Sequence, residues 1–265
     1  MGIWDFLFGK KSADSKKNDK QQPASKFSTT IKAQWVKCKS VGKLSRLDFG
    51  KPAGELGCFL NYNVYNLKYA GLRGRTRKAW LLAYDEQHAI DRATALGYVP
   101  LYEVTLGEHE APTERQLNYL KDLGVVIPDG ITKDDASCLI SRATGEDSEE
   151  GPSPALVALA FGMNKYFSAF IGADGLLSDI VYGSNDRNRA ALYAYGVRQC
   201  MRGEPFGNML EDPDLSVYYA FADKVLADEA LLRSLSGREP SDYKNPYRGT
   251  AIYKAAAAHL TDNGM

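Results

Sequence analysis

Apolar and polar residues between positions 26 and 106 alternate mainly with the two-residue period of β-strands. Strands are predicted at 31–38, 59–69, 78–84 and 99–106. Before the last of these, Asp85 stands at an N-cap position, apolar residues follow at helical spacing, and Gly97 is a suitable helix end. From residue 59 onward the pattern therefore predicts a strand-strand-helix-strand unit that begins with a hairpin.

The helical period is clearest at residues 112–143, where two capping boxes mark two helix starts. Thr113 with Gln116 forms the first box, and Thr132 with Asp135 forms the second. The residues between the two helices contain glycine and proline, which favour an extended connection. The segment is therefore predicted to be a helix-extended-loop-helix module in which the leucines of the first helix face Ala136, Leu139 and Ile140 of the second across the loop.

Further helix starts follow, each marked by a polar cap or by a proline in the first turn. Helices are predicted from Pro154 to about 171, from Asp186 to about 202, from Pro213 to about 235, and after Pro246. No strand pattern interrupts this region. It is therefore predicted to be an all-α bundle.

The predicted fold class is α+β: a small strand-strand-helix-strand domain, a helix-loop-helix module and a C-terminal all-α bundle. Its parts are an aromatic tip with a disordered lysine-rich linker at 1–26, a basic α+β domain at 27–111, the module at 112–143, an acidic linker at 144–153 and a helical domain at 154–265.

Basic and acidic residues are unevenly distributed along the chain, although its formal net charge is zero. Residues 1–84 hold 17 basic and 5 acidic residues, a net charge of +12, whereas residues 85–265 hold 16 basic and 28 acidic residues, a net charge of −12. A segregation of this kind indicates a polyanionic partner for the basic half. Mutual attraction of the two halves within one molecule is the alternative.

The hairpin at 59–84 is the best candidate surface for such a partner, because basic residues are interleaved with aromatic ones. Arginine and lysine bind phosphates, and aromatic rings stack on unpaired bases. The candidate nucleic-acid-binding residues are Lys68, Arg73, Arg75, Arg77, Lys78, Tyr65 and Tyr69. The alternative is a half-buried sheet face that ends in a solvated turn.

The first eight residues are rich in aromatic side chains and are followed by lysines. Trp4, Phe6 and Phe8 can dock at a membrane interface or in the groove of a partner protein. The alternative is that this segment packs on its own domain, since the same side chains serve both purposes.

No catalytic residue, metal, cofactor or small-molecule substrate is predicted, because no nucleophile elbow, phosphate loop or dinucleotide fingerprint is present. The 4 cysteines form no C-x-x-C pair, so free thiols are expected in a reducing compartment. No secretory signal or apolar run of membrane-spanning length is seen. The chain is therefore predicted to be cytoplasmic, and a non-catalytic protein is favoured over the alternative of an enzyme whose site is built from scattered residues.

The module at 112–143 resembles the SAP-like family of short helix-extended-loop-helix domains in bacterial proteins. The matching residues are Thr113, Gln116, Tyr119, Leu120, Leu123, Gly124, Pro128, Thr132, Lys133, Ala136, Ser137, Leu139 and Ile140. The resemblance implies binding to DNA or to a protein. The acidic balance of this segment favours protein docking or a purely structural role over DNA binding.

In the helical region, Ala173, Asp174 and Gly175 resemble the turn between two helices in TerB-like domains, with Asp179 as a counterpart of an acidic residue in the following helix. An acidic pair there could bind a metal, although an aspartate is more often a simple turn residue.

The sequence therefore favours a non-catalytic accessory binding protein. Its basic N-terminal domain is expected to contact single-stranded nucleic acid, and its acidic helical part is expected to contact a protein. The alternative is a membrane-peripheral or structural adaptor that docks through the N-terminal aromatic segment.

Overall fold

The computed structural model describes residues 40–41, 44–45, 62–71 and 74–265, which form two compact units. The first contains residues 62–107. The second contains residues 108–265 together with two short paired strands, β1 (Ser40–Val41) and β2 (Leu44–Ser45). A small antiparallel sheet followed by many helices confirms the predicted α+β class with a helical C-terminal region. The N-terminal tip, its linker and the strand predicted at 31–38 lie outside the described residues.

The first unit contains the predicted hairpin, helix and closing strand in that order. The elements are β3 (Asn63–Ala70), β4 (Thr76–Ala83), α1 (Glu86–Ala95) and β5 (Leu101–Leu106). Both outer strands pair antiparallel to β3, which is central. Asp85 caps α1 by accepting a hydrogen bond from the backbone amide of His88, as the sequence predicts.

Helix α1 packs on one face of this sheet and forms a small core with it. Tyr65, Leu67 and Leu81 of the strands meet Ala89 and Ala93 of the helix, and all five side chains are buried. Because side chains alternate along a strand, the residues between these positions point to the other face of the sheet. We call that other face the open face because α1 does not cover it: Leu82 on it is buried, whereas Asn66, Lys78 and Trp80 are exposed.

The second unit consists of nine helices and a short 3-10 turn over the described range 108–265. The helices are α2 (Glu114–Asp122), α3 (Lys133–Thr144), α4 (Pro154–Gly162), α5 (Ala173–Tyr182), α6 (Asp186–Arg202), α7 (Leu215–Ala227), α8 (Glu229–Ser236), α9 (Ser241–Lys244) and α10 (Ala251–Asp262). Helix α6 is central and packs against α7, α9 and α10. Both predicted capping boxes are present, at the starts of α2 and α3.

The helix-extended-loop-helix module occurs twice, which the sequence pattern does not predict. Helices α4 and α5 begin 40 residues after α2 and α3 respectively. Gly124 and Asn164 occupy the same position after the first helix, with φ of 71° and 56°. The backbone hydrogen bonds also recur: the amide of Val125 donates to the carbonyl of Leu120, and that of Lys165 to Ala160. We call these two copies repeat 1 (113–144) and repeat 2 (153–182).

The two repeats pack directly on each other. Phe170, from the loop of repeat 2, completes a core with Leu120, Ala136 and Leu139 of repeat 1. The buried guanidinium of Arg142 donates to the carbonyl of Phe170 at 3.2 Å. Helix α2 has one buried residue, whereas six consecutive residues of α4 are buried. Repeat 1 therefore acts as the solvated end of a two-repeat stack, and repeat 2 is its inner member.

Repeat 2 lacks a capping box, and Asp147 replaces it. The carboxylate of Asp147 accepts hydrogen bonds from the backbone amides of Gly172 and Gly175, each at 2.7 Å. Gly172 and Gly175 correspond to Thr132 and Asp135, the two residues of the capping box that starts α3 in repeat 1. Asp147 lies in the predicted acidic linker, which thus supplies the cap of α5.

Three predicted helices have different boundaries in the structure. The helix predicted from 154 to about 171 ends at Gly162, because Asn164 adopts a left-handed conformation that closes the turn. The helix predicted from 213 to about 235 is divided at Asp228, which caps α8. The last helix begins after Thr250, its N-cap, rather than directly after Pro246.

Residues 173–175 form the first turn of α5 rather than a turn between two helices. The helix begins there because the Asp147 carboxylate caps it at Gly172, the residue before Ala173. Asp174 pairs at the surface with Lys244 at 2.9 Å. Across the described residues, no group of acidic, histidine or cysteine side chains is arranged to hold a metal ion. None of the described helices combines the length and apolar character needed to cross a bilayer.

Candidate nucleic-acid interface

Strand alternation separates the predicted site residues onto the two faces of the sheet. Tyr65 and Tyr69 lie on the face that α1 covers, with exposed fractions of 1% and 9%. The ring of Tyr69 packs against that of Tyr98, with the ring centroids 4.7 Å apart. The faces of these two tyrosines are therefore not presented to solvent, and they serve as core residues of the first unit.

Two adjacent cross-strand rows of the open face carry polar, charged or aromatic side chains that are exposed or half-exposed. Lys78, Lys68 and Glu103 form one row, since Lys68 pairs with both of the others. Trp80, Asn66 and Thr105 form the next row in the same way. Side chains that are directly opposite each other across a pair of strands lie close together on the same face. We call these six residues the open-face site.

Trp80 is the aromatic residue of this site. Its side chain is 43% exposed, and its direct cross-strand neighbour Asn66 is also exposed. Indole rings have the largest stacking surface among protein side chains and bind the flat face of an unpaired base. The structure therefore places a partly exposed indole on the sheet face that α1 does not cover.

The basic residues of the open face differ in their electrostatic partners. The Nζ atom of Lys68 lies 2.6 Å from Oε2 of Glu103, and both side chains are about half exposed. Lys78 is exposed and forms no ion pair with any residue in the described part of the chain. Its charge is therefore available to a phosphate, whereas that of Lys68 is partly neutralised by Glu103.

Arg75 and Arg77 are the described arginines of the hairpin, and neither belongs to the open-face site. Arg75 is exposed, and its carbonyl accepts the backbone hydrogen bond of Gly71 that closes the turn. The side chain of Arg77 lies over Gly71, where a Cβ atom would overlap it. Arg77 pairs with Tyr69, so its strand position belongs to the helix-covered face. Arg73 lies outside the described residues.

Arg92 of α1 is buried, which lowers the pKa of its guanidinium to about 10 but leaves it protonated at neutral pH. The predicted docking residues Trp4, Phe6 and Phe8 lie outside the described residues.

Comparison of the chain with protein-family models, with curated proteins and with solved structures found no match. The resemblances to SAP-like and TerB-like domains therefore stay predictions.

Cys138 in α3 is expected to be chemically inert in the folded protein. Burial raises the pKa of its thiol to about 12, so roughly one thiol in ten thousand is ionised at a pH of about 8. We expect iodoacetamide to leave Cys138 unmodified in the native chain and to alkylate it after unfolding in urea, as read by peptide mass spectrometry. Equal alkylation rates in the native and unfolded states would contradict the burial of the Cys138 thiol.

Proposed function

We propose that this chain is a cytoplasmic, non-catalytic accessory binding protein that contacts single-stranded nucleic acid through the open-face site. The observation that supports this most directly is the exposed Trp80 beside the exposed Lys78 on a sheet face that α1 does not cover. A stacking ring next to a cation matches the two chemical parts of a nucleotide, its base and its phosphate.

The charge distribution supports the same surface. Residues 68–78 contain five basic residues and no acidic one, and this segment runs from the end of β3 to the start of β4. A single strand that stacks a base on Trp80 would direct its phosphates toward Lys78 and Arg75. Duplex nucleic acid hides the faces of its bases, so it would lack the stacking contact.

The helical unit has the opposite charge and is proposed to bind a protein. Residues 108–265 hold 24 acidic and 15 basic residues, a net charge of −9, which disfavours contact with phosphates. Repeat 1 has the solvated helix of the two-repeat stack and is accessible to a partner. Two functions are thus assigned to two units of opposite charge.

The proposal predicts opposite effects of two substitutions on one row of the site. Lys78→Glu should weaken binding of a single-stranded oligonucleotide about tenfold at low salt, because it replaces a phosphate-binding cation by an anion. Glu103→Gln should strengthen binding a few-fold, because it releases Lys68 from its ion pair. Fluorescence anisotropy with a labelled oligonucleotide measures both changes.

Lys254→Glu is the matched control, since Lys254 is an exposed residue of α10 in the helical unit and the substitution changes the net charge equally. It should leave the affinity nearly unchanged. Equal losses for Lys78→Glu and Lys254→Glu would indicate a general charge effect and would count against the site. Absence of any salt-dependent binding by the unmodified protein would overturn the proposed function itself.

A further inference from the structure

Asn66 occupies the centre of the row that contains Trp80. It pairs with Trp80 on β4 and with Thr105 on β5, and the side chains of all three are exposed. The carboxamide of Asn66 forms no hydrogen bond to another residue within the described segments. A polar side chain with both a donor and an acceptor therefore stands beside the stacking ring and is available to a ligand.

We propose that Asn66 reads the edge of a base that stacks on Trp80 and that the open-face site prefers adenine. This inference rests on the proposed function, because it assigns a specificity to the same site. It concerns which base is bound, whereas the proposed function concerns whether single-stranded nucleic acid is bound at all.

The positions of the two side chains support simultaneous contact. Directly opposed residues of an antiparallel pair have Cβ atoms about 4.5–5.5 Å apart. A base is wider than this distance, so a base that stacks on the indole extends toward the neighbouring strand, where the Asn66 amide stands. Stacking and edge contact can thus act on a single base.

The chemistry of the amide selects among the purines. Adenine presents an acceptor at N7 beside a donor at N6, which matches the donor and acceptor of a carboxamide in a bidentate pair. Guanine presents acceptors at both N7 and O6, so one half of the amide would face an unsuitable partner. Pyrimidines have a smaller ring and stack less strongly on an indole.

Oligonucleotides of about ten nucleotides that differ only in their base test this preference. The unmodified protein should bind oligo-deoxyadenylate about tenfold more tightly than oligo-deoxycytidylate. Replacing adenine by 7-deazaadenine, which keeps the stacking surface and removes the N7 acceptor, should abolish most of that advantage. Asn66→Val, which suits a strand and has no hydrogen-bonding side chain, should bind the adenine and 7-deazaadenine strands equally.

Thr105→Val is the matched control, since it lies in the same row and leaves the amide in place; it should keep the discrimination against 7-deazaadenine. Equal binding of all strands by the unmodified protein would overturn the adenine preference while the proposed function stands. Discrimination that persists in Asn66→Val, with the variant still folded by circular dichroism, would also overturn the role of Asn66. Failure of every strand to bind would overturn the proposed function.

Discussion

Replacing Asp147 by alanine is expected to destabilise the helical unit by about 2–3 kcal/mol. The Asp147 carboxylate accepts hydrogen bonds from the amides of Gly172 and Gly175, so its removal leaves both donors at the start of α5 without a partner in a partly buried position. It also accepts from the amide of Ser148 at 2.7 Å. Urea unfolding followed by far-ultraviolet circular dichroism measures the loss in the free energy of unfolding.

Asp174→Ala is the control for this prediction. Asp174 has the same charge and lies in the first turn of the same helix, but its side chain is 67% exposed, and its ion-pair partner among the described residues is Lys244 at the surface. A surface ion pair contributes little, so the expected loss is below about 1 kcal/mol. Gly175→Ala should resemble Asp147→Ala, because a Cβ atom there would overlap the Asp147 carboxylate. Similar small losses for Asp147→Ala and Asp174→Ala would contradict the capping role of Asp147.

Replacing Trp80 by alanine is expected to weaken binding of single-stranded nucleic acid by about tenfold or more, since stacking on one base contributes roughly 1–3 kcal/mol. Trp80→Phe keeps an aromatic face and should retain most of the affinity. Because Trp80 is 43% exposed and is not part of the core between α1 and the sheet, both variants should remain folded. Titration by fluorescence anisotropy measures the dissociation constants.

The comparison between a leucine variant and the phenylalanine variant separates stacking from general apolar burial. Trp80→Leu provides an apolar side chain without a π face and should behave like Trp80→Ala. If Trp80→Leu instead binds as well as Trp80→Phe, stacking does not contribute, and the open face holds its ligand by another interaction. Melting temperatures of all three variants serve as the check on folding.

Features encoded by a few adjacent residues were predictable from the sequence. The N-cap at Asp85 and the capping boxes at Thr113 and Thr132 form as predicted, because each uses hydrogen bonds that span only three residues. Helix α6 has the boundaries that its N-cap and C-terminal glycine indicate. The fold class follows from these local signals.

The duplication of the module could not be recognised in the same way. When the repeats are aligned with an offset of 40 residues, only Ile131, Asp134 and Ile140 recur as identical residues. In repeat 2 the second helix, α5, is capped by the remote Asp147 instead of by a capping box. Its first helix, α4, is apolar where α2 of repeat 1 has a polar face. A carboxylate about 25 residues before the amides that it caps leaves no local pattern.

The candidate site was predictable as a segment but not as a surface. The sequence indicates the basic hairpin, yet it does not determine which side of β3 faces α1. Tyr65 and Tyr69 fall on the covered side, and Lys68 falls on the open one. The partners of Lys68 and Trp80 come from other strands, Glu103 and Asn66, so the site depends on strand register.

Photo-crosslinking tests most directly whether single-stranded nucleic acid lies on the open face. An oligonucleotide that contains 5-iodouracil reacts with aromatic side chains on which the base stacks, and digestion followed by mass spectrometry identifies the residue. The predicted result is a crosslink at Trp80 that disappears in Trp80→Ala and decreases when salt is raised from about 50 to 200 mM. Crosslinks confined to residues 108–265, unchanged in Trp80→Ala, would contradict the proposed role of the open-face site.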